Sequence, residues 1–248
     1  MNPDRPSKGV PNAPRVSVIL PTFNERESLE VLYPALEKVL APLDAEVVIV
    51  DDHSPDGTAD FARGLSGAVP VSVLERPAKL GLASAVIDGI ARTRGEVVVV
   101  MDADGSHPPE IVPALVAAVD RGAEFVLGSR RVPGGSGRAL SFGRRLISSG
   151  ALLLARPIAH VHDPMSGFFA FRRGILVRGR LTPIGYKIGL EILVKCRPRP
   201  IVEVPIDFRP RIAGVSKLGA GEIGNYVRHV RRLYAWRLFG SHRASSTR

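Results

Sequence analysis

Five short apolar runs, rich in β-branched residues, recur at 16–20, 47–50, 71–74, 97–101 and 125–127, and segments with helical spacing separate them. Because the runs are largely apolar rather than strictly alternating, they read as buried strands. Leu29, Leu32, Leu36 and Leu40 mark one intervening helix, Leu82, Val86 and Ile90 a later one, and Ile111, Leu115 and Val119 another. Strand, helix and strand in succession imply crossover connections. The fold class is therefore α/β, a mainly parallel sheet with helices on both faces.

In such sheets ligands gather at the carboxyl ends of the strands. Polar clusters stand at those ends: 21–25, 51–57, 76–81 and 102–107 follow the first four runs. Beyond residue 128 the pattern loosens, with a glycine-rich loop at 133–137 and strand-like stretches at 168–171 and 201–208. Residues 222–239 place Ile223, Val227, Val230, Leu233 and Tyr234 at helical spacing with arginines between them, an amphipathic helix. One domain over 15–239 is expected, preceded by a proline-rich disordered leader at 1–14 and followed by a flexible tail at 240–248. The leader lacks the apolar core of a signal peptide.

A net charge of +10 and a pI near 10.4 imply an anionic partner. Between Glu124 and Asp163 there is no acid, while Arg130, Arg131, Arg138, Arg144, Arg145 and Arg156 fall there; a second acid-free stretch follows Glu222. No apolar run reaches the roughly 20 residues that a membrane-spanning helix needs. Cys196 is the lone cysteine, so it forms no internal disulfide and reads as a buried thiol.

Asp102-Ala103-Asp104 is the sharpest local signal. Paired carboxylates at a strand mouth can reach a hard divalent cation and, through it, a diphosphate. Acids also end strands simply because turns and helix caps favour them. At the second strand end, Asp52 suits a ligand and Asp56 or Thr58 suits the cap of the helix that follows. The turn 21–25 offers the Phe23 ring and the Glu25 carboxylate, and Arg76, Lys79, Gly81 and Leu82 form either a cationic turn or an exposed loop. Neither GxGxxG nor GxxxxGK[ST] occurs, so a Rossmann or P-loop site is unsupported.

Taken together, Pro21-Thr22-Phe23-Asn24-Glu25, Val50-Asp51-Asp52 with Ser54-Pro55-Asp56-Gly57-Thr58, Lys79-Leu80-Gly81-Leu82, Asp102 to Pro108, Gly128-Ser129-Arg130 and Asp163-Pro164-Met165-Ser166-Gly167-Phe168 resemble the dolichyl-phosphate (polyprenyl-phosphate) mannose synthases of glycosyltransferase family 2, with the GT-A fold. The resemblance runs from about Arg15 to Phe239. It implies inverting transfer of mannose from GDP-mannose to a dolichyl or polyprenyl phosphate. Pro21, Phe23, Glu25, Val50 and Asp52 match positions that hold the guanosine, and Asp102, Ala103 and Asp104 those around the diphosphate and a Mg2+ or Mn2+ ion. Arg130, Arg211 and Lys217 match cations on the donor, and Arg144 with Ser148 a motif linked to the acceptor phosphate; Asp104, Arg130, Arg144 and Ser148 are the catalytic candidates.

Several members carry Gln where Ser106 stands, a position linked to the metal, and serine is the weaker ligand. Tyr is usual where Arg131 stands, and other members have membrane-spanning helices. The acceptor's prenyl chain implies a peripheral place on the cytoplasmic side of a membrane, reached through the basic helix 222–239 or a separate integral-membrane subunit. Two alternatives remain: a family 2 transferase using another donor such as UDP-glucose, and a basic nucleic-acid-binding protein. For the latter the chain shows no helix-turn-helix, zinc-finger or RNP pattern, so no nucleic acid is expected.

Overall fold

A computed structural model describes residues 13–137, 142–182, 184–213 and 220–239, and for 142–149 and 220 the backbone alone. Strands β1 (Val16–Thr22), β2 (Ala45–Asp51), β3 (Val71–Glu75), β4 (Val97–Val100) and β5 (Phe125–Ser129) occupy the five apolar runs. Between them run α1 (Arg26–Leu40), α2 (Thr58–Arg63), α3 (Leu82–Arg92) and α4 (Val112–Asp120), the last entered through a 3-10 turn at Pro109–Ile111. Then follow α5 (Phe142–Ala159), β6 (Phe169–Arg172), α6 (Ile188–Cys196), β7 (Ile201–Pro205) and α7 (Ala220–Phe239).

The strands form a seven-stranded sheet in the order β3-β2-β1-β4-β6-β5-β7. All neighbours are parallel except β6, which runs antiparallel to both β4 and β5, pairing Val100 with Phe169 and Leu127 with Phe169. Successive side chains of a strand point to opposite faces, and the core divides accordingly. Ile19, Val48, Val50, Val98 and Val100 pack beneath α3, α5, α6 and α7, whereas Val18, Leu20, Val47, Ile49 and Val99 pack beneath α1, α2 and α4. The mainly parallel sheet with helices on both faces is thus as the periodicity implies.

The antiparallel direction of β6 has a positional effect. Its first residue lies beside the carboxyl end of β4, so the turn at 163–168 arrives at the same edge as the loops that leave β1, β2, β4 and β5.

α7 buries Tyr226, Val230 and Leu233 and exposes Ile223, Val227, Leu238 and Phe239 together with Arg228, Arg231 and Arg232. Its aromatics turn inward rather than outward: the Tyr234 hydroxyl donates to the Leu154 carbonyl at 3.0 Å, the Tyr226 hydroxyl to that of Ala151 at 2.6 Å, and half-buried Trp236 carries the Arg197 guanidinium 5.4 Å from its ring centroid. Among the described residues no helix is long and apolar enough to cross a membrane. Residues 1–12 of the leader and the tail 240–248 lie outside the described residues.

Candidate active site

The chain leaves β4 through Asp102-Ala103-Asp104, which turn at once because Gly105 adopts φ +78°. One Asp104 carboxylate oxygen accepts the Ser106 N–H at 2.9 Å, and the other is ion-paired with Arg211 at 3.1 Å. Segment 209–212 clips onto this turn, the Arg209 and Ile212 N–H groups donating to the Ser106 and Asp104 carbonyls at 3.0 and 2.9 Å. Ala103 and Asp104 are buried, while the Asp102 carboxylate keeps 29% of its side-chain surface open.

His107 backs this turn. Its Nδ1 accepts the Asp102 N–H at 3.0 Å, which leaves the proton on Nε2, 3.9 Å from an Asp102 carboxylate oxygen. The ring is buried, stacked on Phe168 with centroids 5.1 Å apart and met edge-on by Phe208. Burial pushes the imidazole below its ordinary value, and the Asp102 and Asp104 carboxylates offset this only in part, so His107 is neutral at pH 7. A neutral ring orients Asp102 without neutralising it.

Two carboxylates and a hydroxyl suit a hard cation that draws its remaining ligands from substrate phosphates and water. Ser106 Oγ is buried and has no hydrogen-bond partner among the described residues. Among the described residues no cluster of three or more His, Cys, Asp or Glu side chains converges as a metal centre. The donor set at 102–106 fits a hard divalent cation such as Mg2+ or Mn2+.

β1 lies between β2 and β4, so the loops after all three share one edge. Pro21 and Val50 are register partners and buried. The Glu25 carboxylate accepts the Ser28 hydroxyl at 3.0 Å, and the Glu25 N–H donates to Thr58 at 3.0 Å. Half-buried Phe23 carries the Lys79 ammonium 3.9 Å above its ring centroid, a cation–π contact.

Asp52 organises the neighbouring loop. Its carboxylate accepts the Leu80 and Gly81 N–H groups at 2.9 and 2.7 Å and pairs with the Arg76 guanidinium at 2.9 Å. Arg76, open in the sequence to being part of an exposed loop, is 3% exposed. Capping of α2 also differs in detail: Gly57, at φ +80°, takes the cap position, and Asp56 one residue earlier accepts the Thr58 N–H and hydroxyl at 3.0 and 2.5 Å.

Arg130 follows β5 and is bidentate to Asp163, with Nε and Nη2 donating at 2.7 and 2.8 Å, while its backbone N–H reaches the same carboxylate at 3.2 Å. Burial pushes the Asp163 carboxyl upward, but the Arg130 hydrogen bonds and charge outweigh it and hold the group below the ordinary carboxylate range. Arg130 thus reaches the site pre-aligned, and its guanidinium lies 5.3 Å from the Phe208 ring centroid. Arg144 and Ser148 fall on α5, where the backbone alone is described, and Lys217 lies outside the described residues.

The structure therefore brings Pro21, Phe23, Glu25, Val50, Asp52, Asp102, Ala103, Asp104, Ser106, Arg130 and Arg211 to one edge of the sheet. His107 and Asp163 take structural parts that motif reading did not assign. For Asp163 a signal existed: it is the acid that ends the long acid-free stretch after Glu124.

A mainly parallel sheet whose central strand ends in a carboxylate pair, with cations facing it from two other loops, defines a GT-A-type glycosyltransferase. Residues 17–179 match the model of the family described as "Glycosyl transferase family 2". The dolichol-phosphate mannosyltransferase of Pyrococcus furiosus is 46% identical over 226 residues, 90% of this chain, which spans only 64% of that relative's length. The polyprenol monophosphomannose synthase of Mycolicibacterium smegmatis is 38% identical over 84% of this chain and 83% of its own. A glucosyl-3-phosphoglycerate synthase from Mycobacterium tuberculosis, solved with Mn2+, UDP-glucose and phosphoglyceric acid, superposes with a TM-score of 0.62 at 26% identity, covering 90% of this chain and 79% of that one. The chain belongs to glycosyl transferase family 2 and is closely related to the dolichol-phosphate mannosyltransferases.

Proposed function

We propose that this protein transfers mannose from GDP-mannose to a dolichyl or polyprenyl phosphate in a single inverting displacement. One observation carries the reading: the partly exposed Asp102 carboxylate and the Asp104–Arg211 pair lie on the same sheet edge as Glu25, Asp52 and the Asp163-aligned Arg130. Relatives at 38–39% identity, named polyprenol monophosphomannose synthase and undecaprenyl-phosphate mannosyltransferase, support the sugar and the class of acceptor.

The acceptor is a phosphate oxygen, ionised near neutral pH, so the site needs no strong general base. What it must supply is charge management. Asp102 and Asp104, with Ser106 Oγ at hand, would hold a Mg2+ or Mn2+ ion, which would supply positive charge to the diphosphate. Arg211, 29% exposed at the side chain, is able to turn from Asp104 to the departing nucleotide. Arg130 meets the incoming phosphate with its fork fixed in advance by Asp163, so little conformational freedom is lost on binding. Phe23 and Glu25 face the nucleoside, with the loop ordered by Asp52 beside them.

The lipid tail remains in the bilayer, and α7 supplies a surface for meeting it. Exposed Arg228, Arg231 and Arg232 attract anionic headgroups by about 1 kcal/mol each near the surface, while Leu238 and Phe239, with Leu153 and Leu154 of α5, offer apolar contact. These surfaces support a peripheral position on the cytoplasmic leaflet, alone or with an integral-membrane subunit.

The test incubates purified protein and Mg2+ or Mn2+ with a short polyprenyl phosphate and either GDP-mannose or UDP-glucose, and identifies the lipid product by mass spectrometry. A mannosyl lipid from GDP-mannose is expected. Product from UDP-glucose alone overturns the donor assignment.

A further inference from the structure

Lys187 stands immediately before α6, outside every motif of the sequence. Its ammonium donates to the Met165 carbonyl at 2.5 Å and lies 4.6 Å from the Tyr186 ring centroid. Met165 is the middle of the turn that carries Asp163 to Arg130 at one end and Gly167 to Asp102 at the other. A Cβ on Gly167 would stand 3.3 Å from an Asp102 carboxylate oxygen and 3.4 Å from His107 Cε1, so this turn packs directly behind the metal-facing carboxylate. Two residues before Lys187, the Gly185 carbonyl accepts the Ala83 N–H at 3.2 Å. One strap therefore ties the start of α3, beside the loop ordered by Asp52, to the turn that aligns Arg130.

A cation at a helix N-terminus opposes the helix dipole, so α6 gains nothing from a lysine there. The return lies at the other end of the side chain. The Lys187 charge is close enough to favour the ionised form of Asp163, behind the larger influences of burial and Arg130.

We propose that Lys187 is a positioning residue for the transfer reaction, fixing the Met165 carbonyl so that the turn 163–167 aims Arg130 and backs Asp102. It acts through these groups and not on the substrate. The proposal rests on the transfer reaction described above.

Steady-state kinetics of Lys187→Met and Lys187→Arg test it, with thermal denaturation of each variant alongside. Lys187→Met should lower kcat by about 10–100-fold, the range for losing a partner that orients a reacting group, with the KM for the nucleotide sugar within about threefold of wild type. Lys187→Arg, which keeps a long cationic donor, should recover most of the loss. Wild-type kcat in Lys187→Met, or Lys187→Arg no better than Lys187→Met, overturns the proposal. Should Lys187→Met not fold, Lys187→Ala takes its place in the same comparison, since it too removes the donor. Wild type is run on GDP-mannose and UDP-glucose in parallel and the variants on whichever it uses. A wrong donor then shows in the wild type, and a wrong role for Lys187 shows in the ratio.

Discussion

Replacing Asp163 with Asn removes one charge from a buried pair and leaves the other behind. Three donors of Arg130 converge on that carboxylate, at 2.7, 2.8 and 3.2 Å, and the carboxylate is wholly buried. An Asn keeps one acceptor and turns its amide hydrogens toward a guanidinium. Breaking a buried pair from one side costs about 3–5 kcal/mol; the 12% exposure of the Arg130 side chain, which lets water reach it, places this case near 3 kcal/mol. For a domain of this size each kcal/mol moves Tm by roughly 2–4 °C, so a drop of about 6–12 °C is expected. Circular dichroism melts across pH read it.

Because the folded Asp163 titrates below its ordinary 3.8, its contribution is present above the unfolded value and disappears as pH falls through the folded one. The gap between wild type and Asp163→Asn should hold from about pH 8 to 5 and begin to narrow below about pH 4. A drop of less than about 2 °C at pH 7, or a gap undiminished at about pH 3, would refute the reasoning.

Asp104→Asn should lower mannosyl transfer by more than about 10²-fold, since a charged partner of the diphosphate-bound cation is lost; near-wild-type turnover in the lipid-product assay counts against the site. Cys196, pushed up to about 11 chiefly by burial and further by the Glu191 carboxylate, should not react with a disulfide reagent at pH 8 until denaturant is added, as absorbance of the released thiolate will report. Gly105→Ala forces a left-handed backbone on an L side chain and drives a Cβ to 2.4 Å from Ile212 Cδ1. Urea unfolding should show a loss of about 1–2 kcal/mol, with part of it restored by adding Ile212→Ala.

Strand periodicity located β1 to β5 to within a few residues, because strands buried on both faces are largely apolar and such runs are local in sequence; β3 alone of the five departs from the buried reading, since it forms the edge of the sheet and is half-exposed. The Asp-x-Asp turn and the clusters at 21–25 and 51–57 were legible for the same reason: a loop leaving a parallel strand is bound to reach the binding edge. What local pattern could not disclose was pairing across the chain. Arg76 reads as a loop cation until Asp52 is seen to neutralise it, and Arg130 reads as an isolated arginine until Asp163, 33 residues on, closes around it. Helical spacing alone does not say what Tyr234 and Trp236 meet; the Leu154 carbonyl and Arg197 are their partners. Lys187 carries no sequence signal, since its partner is a main-chain carbonyl that any residue could supply.

The reversed direction of β6 links the periphery to the reaction centre. α5, to which α7 is fastened at the Ala151, Leu154 and Ile158 carbonyls, ends at Ala159, and Asp163 follows after three intervening residues. Had β6 run with its neighbours, that short connector would open on the opposite rim of the sheet. As built, the footing of α7 and the clamp on Arg130 hang from the two ends of one short stretch of chain, so the outer helix pair and the arginine share a common mooring.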